Sequence, residues 1–273
     1  MPPPTILHSP LPLTSDCHHY TDISEVPWDI QKYYHQRHSL FTLYSSSIHL
    51  TDAAWFGVTP EPVALQIAHD LDPPSPPPTA PTTPTTIIDI FAGAGGNAIA
   101  FALSAKWSRV VAIERDPSTL ACAQHNARVY GVYDAITWVL GDSFEVLSLL
   151  RRRHQQHQTG GDDDELSALL DSMPPSSTVI FASPPWGGVS YADHDVFDLS
   201  TMEPYNLAHI HAACRPMRHV LFLPRTSDIR QVAALVPDGA GEKVDVVQYC
   251  MYGASKAMVA YIPAAEEEAG SLD

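Results

Sequence analysis

The sequence predicts an α/β fold: a mostly parallel sheet covered by helices on both faces, finished by a terminal antiparallel hairpin and preceded by a small helical N-terminal lobe. Three observations predict it. From Ile87 onward, short apolar and β-branched runs alternate with segments of helical periodicity, the pattern of parallel strands buried on both faces. The first run meets its helix through a glycine cluster, Gly93-Ala94-Gly95-Gly96. The last two, 244–252 and 257–262, have strand character at hairpin spacing and meet through Gly253-Ala254-Ser255.

In chain order, residues 1–24 are rich in Pro, Ser and His without periodicity and predict a disordered N-terminus. Residues 25–70 predict the helical lobe. Ile30, Tyr33, Tyr34, Leu40 and Phe41 fall at mixed helical spacing, beside the most basic patch of the chain, Lys32, Arg37 and His38. A solvated helix face is the commoner meaning of three such residues. Trp55-Phe56-Gly57-Val58-Thr59-Pro60-Glu61 reads as a helix entry. Thr59 suits the N-cap, Pro60 the first helical position and Glu61 the positive end of the dipole, with the helix running to about residue 69. A Pro- and Thr-rich linker follows over 71–86. The main domain, 87–263, carries predicted strands at 87–91, 110–114, 136–140, 179–183 and 220–223, and helices at 97–104, 117–130, 144–152 and 228–235. Within it, 151–177 predicts a surface insertion with one helical turn at 166–170, and 264–273 an acidic tail.

With 273 residues, 45% of them hydrophobic, the chain can bury one substantial core and a small appendage. A formal charge of −16 argues against a broad nucleic-acid-binding face, which needs a basic surface. Any RNA contact is therefore local, to a ligand end. No apolar run approaches the roughly 20 residues of a membrane span, and residues 1–4 lack the start of a signal peptide. Cys17, Cys122, Cys214 and Cys250 are scattered, with no CxxC pair and no His at ligand spacing. They predict reduced thiols in an intracellular protein and no metal site.

The chemistry concentrates at the ends of the first four strands of the main domain. Asp89-Ile90-Phe91-Ala92-Gly93-Ala94-Gly95-Gly96-Asn97 joins the first strand to its helix. Its spacing is not the dinucleotide fingerprint, which makes hydride transfer a poor reading. An acid before the glycines suits a cofactor carrying a cation near the loop, such as the amino and sulfonium groups of S-adenosylmethionine. Glu114, ending the second strand, is placed to accept from ribose hydroxyls, and Asp142, ending the third, from an adenine amine. Any one such acid is more often a helix cap; three at successive strand ends, with the glycine loop, favour this cofactor. At the fourth strand end stands Ser183-Pro184-Pro185-Trp186-Gly187-Gly188. The prolines lack N–H groups and stiffen the turn. Ser183 and the carbonyls can accept from an exocyclic amine, while Trp186 offers a flat surface to the base. The plain alternative is a proline-rich turn with a core Trp.

Strand alternation with a terminal hairpin resembles the Rossmann-like class I methyltransferases, and a Pro-Pro-aromatic turn at the fourth strand resembles those that methylate planar nitrogens. The wider set of motifs is similar to the trimethylguanosine synthase family. That set is Lys32-Tyr33-Tyr34-His35-Gln36-Arg37, the entry at 55–61, the glycine loop, Asn126-Ala127-Arg128-Val129-Tyr130-Gly131, Ser183-Pro184-Pro185-Trp186-Gly187-Gly188 and Phe222-Leu223-Pro224-Arg225. The resemblance spans about 31–262. It implies methyl transfer from S-adenosylmethionine to guanine N2 of 7-methylguanosine caps, giving 2,2,7-trimethylguanosine on small nuclear and nucleolar RNAs. It implies a nuclear or nucleolar location and contact with proteins of those particles. By the same resemblance Trp186 stacks on the methylated guanine, Ser183 and Pro184 orient its N2, and Lys32 and Arg225 hold the cap phosphates. Asp89, Gly93, Gly95, Asn97, Glu114 and Asp142 hold the cofactor. Phe41, Thr59 and Pro60 close the lobe over the site, Phe41 toward the substrate and the other two toward the cofactor. The chain departs from the family at Gly57, where Ser is usual, at Glu114 for the commoner Asp, and at Val189-Ser190 for Pro-Asp. Other readings are a methyltransferase for another exocyclic amine, such as adenine N6, and a cap-binding protein without turnover.

Overall fold

Parallel strands buried on both faces need apolar residues at every position, and the chain supplies them in five runs. In a computed structural model, which describes residues 2–74, 84–156, 164–187, 195–236 and 243–265, these runs form the parallel centre of a mixed sheet. They are β2 (Thr86–Asp89), β3 (Arg109–Glu114), β4 (Ile136–Leu140), β5 (Thr178–Ala182) and β6 (Arg218–Leu223). β7 (Asp245–Met251) and β8 (Ala254–Ile262) form the expected hairpin, and β8 pairs antiparallel with β6. With β1 (Thr5–Leu7), the sheet order is β1-β4-β3-β2-β5-β6-β8-β7. The chain runs outward from β2 to β4 and then restarts at β5 on the other side of β2. That reversal opens a crevice at the carboxyl ends of β2 and β5, where open α/β sheets take their ligands. The mostly parallel sheet with a terminal antiparallel hairpin expected from the sequence is the one observed.

Alternate side chains of each strand feed two cores. Ile87, Val110, Ala112, Trp138, Phe181 and Phe222 face α5 (Gly96–Leu103), α6 (Pro117–Val129) and the N-terminal helices. Ile88, Val111, Val139, Ile180 and Leu221 face α7 (Ser143–Gln156), α8 (Glu165–Asp171) and α9 (Leu207–Cys214). A short helix, α10 (Ile229–Ala233), adds Val232 to the second core. The N-terminal helices are α1 (Gln31–Tyr34), α2 (Arg37–Leu40), α3 (Ala54–Gly57) and α4 (Glu61–Asp70). Their buried Tyr34, Leu40, Trp55, Val63 and Ile67 belong to the same cluster as the sheet residues of the first core.

Four expectations are corrected. Residues 2–24 are not a disordered tail. β1 pairs antiparallel with β4, with Thr5 opposite Leu140 and Leu7 opposite Trp138, and the Leu11 N–H donates to Gln124 Oε1 on α6 at 2.8 Å. Three strand residues are too few to show an alternating pattern, so the prolines dominate the reading. The N-cap of α4 is Pro60, not Thr59. Thr59 Oγ1 instead accepts from Asn97 Nδ2 at 3.1 Å, which ties the lobe to the glycine loop. The 151–177 stretch is not only surface: α8 buries Leu166 and Leu170 in the second core, and Asp164 caps it by accepting from the Ser167 N–H at 2.7 Å. The hairpin turns at Tyr252-Gly253, so Ala254 and Ser255 already belong to β8. Residues 75–83 of the expected linker, 157–163 of the expected insertion, Gly188, Val189-Ser190 and the tail from 266 lie outside the described residues.

Candidate active site

A cavity of about 860 Å³ opens at the carboxyl ends of β2 to β5, beneath the N-terminal helices. Its size is that of sites that enclose most of a small ligand. The glycine loop forms one wall. Gly93 and Gly95 adopt φ of +53° and +93°, the left-handed region that favours glycine. A side chain on Gly95 would come within 3.2 Å of the Ala123 backbone on α6. Gly95 thus lies behind the wall, shaping it, while Gly93, Asn97, Glu114 and Asp142 line the cavity.

Each acid is held by backbone donors. Glu114 Oε2 accepts from the Gly93 N–H at 3.0 Å, and Oε1 from the N–H groups of Arg115 and Asp116, each at 2.9 Å. Burial nevertheless pushes its pKa up, against the effect of those donors. Asp142 caps α7, its Oδ1 accepting from the N–H groups of Phe144 at 2.9 Å and Glu145 at 3.2 Å. Asp89 is fully buried and does not reach the wall. Its Oδ1 accepts from the Phe91 N–H at 3.3 Å, and burial pushes its pKa up to about 7. Asp89 Oδ2 and Asn97 Oδ1 are buried without a hydrogen-bond partner. Of the two, Asn97 Oδ1 belongs to a residue of the cavity wall at the start of α5 and fits a ligand that brings an N–H donor, while Asp89 lies behind the wall.

The acceptor wall faces the loop. Ser183 Oγ donates to the Phe91 carbonyl at 3.4 Å, joining the two strand ends across the crevice. Ser183, Pro184 and Trp186 all line the cavity. The Trp186 ring stacks on Phe222, with centroids 5.7 Å apart at 18°, and its Nε1 donates to the Phe222 carbonyl at 3.3 Å. Trp186 is half-buried: it packs against both cores and also lines the cavity. Arg225, Thr59 and Pro60 also line the cavity.

Two expected substrate residues lie outside it. Phe41 is 2% exposed and packs against Tyr130, because an apolar ring at the end of α2 gains more by joining the core. Lys32 sits on the outer side of α1, since Ile30 and Tyr34 face inward. Its Nζ lies 4.8 Å from the centre of the Tyr33 ring, and it is Tyr33 that lines the cavity.

The sequence profile of the RNA cap guanine-N2 methyltransferases matches residues 84–265, two thirds of the chain and all of the sheet but β1. The chain belongs to that family. The reaction of the RNA cap guanine-N2 methyltransferases moves a methyl group from S-adenosylmethionine to the guanine N2 of a cap. The chain is 31% identical over 239 residues to trimethylguanosine synthase of Schizosaccharomyces pombe, covering 86% of this chain and 87% of that one. To trimethylguanosine synthase of Saccharomyces cerevisiae it is 29% identical over 206 residues, 74% of this chain and 56% of that one. Among solved structures, a human methyltransferase 10 domain containing protein aligns with a TM-score of 0.49 at 14% identity, covering 87% of this chain and 99% of that one.

The family's cofactor fits the acceptors on the loop-side wall, the carboxylates of Glu114 and Asp142 and the unpartnered Asn97 Oδ1, around a glycine turn. The structure adds residues that sequence reasoning missed. Phe91, Phe144 and Tyr205 line the cavity beside Asp142, with the Phe144 and Tyr205 centroids 4.4 Å apart. Phe144 was within reach of the sequence, two residues after an acid at a strand end. Tyr205 was not, because the lead into α9 brings it from a distant part of the chain. Arg115 and Lys256 also line the cavity. No group of three or more His, Cys, Asp or Glu residues placed to hold a metal occurs among the described residues.

Proposed function

We propose that the chain methylates N2 of 7-methylguanine at the 5′ end of capped RNA, twice, giving 2,2,7-trimethylguanosine, and that its substrates are small nuclear and nucleolar RNAs met in the nucleus. The observation that carries the guanine reading is Trp186, held in the cavity across from the glycine loop by Phe222. A 7-methylguanine base is cationic, and an indole face gains about 1–2 kcal/mol from such a ring when water is excluded.

In this reading the stacked base lies flat on Trp186, and Ser183 Oγ with the Pro184 carbonyl accept from its N2 hydrogens. The stiff prolines hold these acceptors in place before the base arrives, so orientation supplies most of the acceleration. S-adenosylmethionine held at the loop-side wall would supply the methyl group from its sulfonium, leaving S-adenosylhomocysteine. Gly93, Asn97, Glu114 and Asp142 hold the cofactor at the wall, Gly95 shapes its loop, and Asp89 sits behind that loop. Thr59 and Pro60 close the lobe over it. Arg225 holds cap phosphates, and Lys32 and Phe41 support the Tyr33 and Tyr130 rings from outside the cavity. N2 of a cationic guanine needs little proton removal before attack, and no general base is assigned.

Incubation with S-adenosylmethionine and either 7-methyl-GTP or GTP, read by mass spectrometry, tests the proposal. One and then two added methyl masses on 7-methyl-GTP alone support it. Transfer to GTP, or to an adenine amine in a mixed oligonucleotide, overturns the cationic-guanine reading. Tight 7-methyl-GTP binding with no transfer leaves a binder without turnover.

A further inference from the structure

The β7–β8 hairpin does not stop where the sheet stops. β6 ends at Leu223, opposite Met258, so residues 254–257 of β8 run on past it, with β7 alongside. At 3.4 Å per residue the overhang is about 14 Å. Its β8 strand borders the cavity up to the turn, because Ala254, Ser255 and Lys256 line it together with Arg225. Gln248 Nε2 fastens the two parts, donating to the Arg225 carbonyl at 3.1 Å and to Ser255 Oγ at 2.5 Å. Neither Arg225 nor Lys256 has a carboxylate partner among the described residues. In a chain of net charge −16, a pair of cations on one wall is a local site for an anion.

At the tip stands Tyr252, 87% exposed, with no ring contact among the described residues. Its φ is +53°, and Gly253 follows at +76°. A two-residue hairpin turn with both φ positive favours Asn or Asp before Gly, so a tyrosine there is held in a backbone that local preference disfavours. Strained, exposed residues cluster at ligand sites. From the cavity outward, one wall presents the Trp186 ring, two cations and a second ring.

We infer that Tyr252 is a stacking platform for the first transcribed nucleotide of the capped RNA, with Lys256 and Arg225 gripping the phosphates between it and the cap guanine. The inference rests on the proposed cap-methylating function and extends it: the site reads past the cap into the RNA. Aromatic stacking on a base tolerates any sequence, because every base has a face to offer.

Calorimetric binding of two probes tests it: 7-methyl-GTP and a 7-methylguanosine-capped tetranucleotide. The wild-type chain binds the tetranucleotide more tightly. Tyr252→Ala lowers the ratio of the two affinities roughly tenfold, as loss of one stacked base does. Tyr252→Phe keeps the ratio. Tyr252→Asn, which suits the left-handed turn, lowers the ratio as Tyr252→Ala does without lowering the thermal midpoint, so a folding defect does not account for the loss. Lys256→Gln reduces the salt dependence of tetranucleotide binding by about one phosphate contact. An unchanged ratio in the Ala and Asn variants, with both probes bound, overturns the inference and leaves the proposed function standing. Failure of the wild-type chain to bind either probe overturns both.

Discussion

Trp186 is fixed by a stack and a hydrogen bond to the same residue, Phe222, so its ring orientation does not depend on the ligand. Trp186→Ala is expected to abolish methyl transfer to 7-methyl-GTP and to weaken its binding, while S-adenosylmethionine affinity stays nearly unchanged by calorimetry. Trp186→Phe, which keeps a ring against Phe222, is expected to retain part of both. Asp89 makes a prediction of the opposite kind, about stability. The folded chain holds its proton up to about pH 7, against 3.8 for the free side chain. Between those values unfolding releases a proton, so stability falls as pH rises from 4 to 7, and above 7 the loss is complete. Urea midpoints measured at pH 5 and pH 8 are expected to differ less in Asp89→Asn than in wild type. At this scale the sequence placed Ser183, Trp186, Glu114 and Asp142 on the cavity wall, because each stands at or just after the end of a strand in a legible pattern. It misplaced Lys32 and Phe41, whose position depends on which side of a one-turn helix meets the core. Four residues carry too little periodicity to show that.

The elements are tied together at a few buried polar side chains, of which Asn126 on α6 is the most connected. Its Oδ1 accepts from the His49 N–H at 2.9 Å, and its Nδ2 donates to the carbonyls of His49 at 2.9 Å and Ala94 at 3.0 Å. One amide therefore joins the N-terminal helices, α6 and the glycine loop. Asn126→Ala strands three backbone groups and is expected to cost about 3 kcal/mol in urea unfolding, with weaker S-adenosylmethionine binding because the loop loses its anchor. β1 gives a second test. A Cβ on Gly141 would lie 2.7 Å from Pro4 Cα, so Gly141→Ala is expected to unseat β1 and to open residues 2–20 to protease while the site still binds cofactor. The parallel strands were legible to within a residue or two because double burial leaves unbroken apolar runs. α9 was missed although Leu207, Ile210, Ala213 and Cys214 mark its buried face, since histidines at 209 and 211 break up the apolar pattern.

As a whole, the molecule joins its N-terminal helices to the sheet through one continuous core. Residues 25–70 are thus expected to unfold together with the sheet, in a single calorimetric transition. Two separated transitions would show that they fold as a unit of their own. The negative charge of the chain limits how much RNA it can hold. Affinity for capped RNA is expected to level off after the first few nucleotides, because a net charge of −16 opposes each further phosphate. Such a molecule finds its substrate by its end.

β1 also sets an order on synthesis. Thr5 leaves the ribosome some 135 residues ahead of its partner Leu140. At 5–20 residues per second that is a wait of about 7–30 s. Through that interval the segment must stay unpaired without sticking to anything else. Pro2, Pro3, Pro4, Pro10 and Pro12 keep it from extending into a longer sticky strand. The feature that made this stretch look unstructured is the one that lets it reach its place at the sheet edge late.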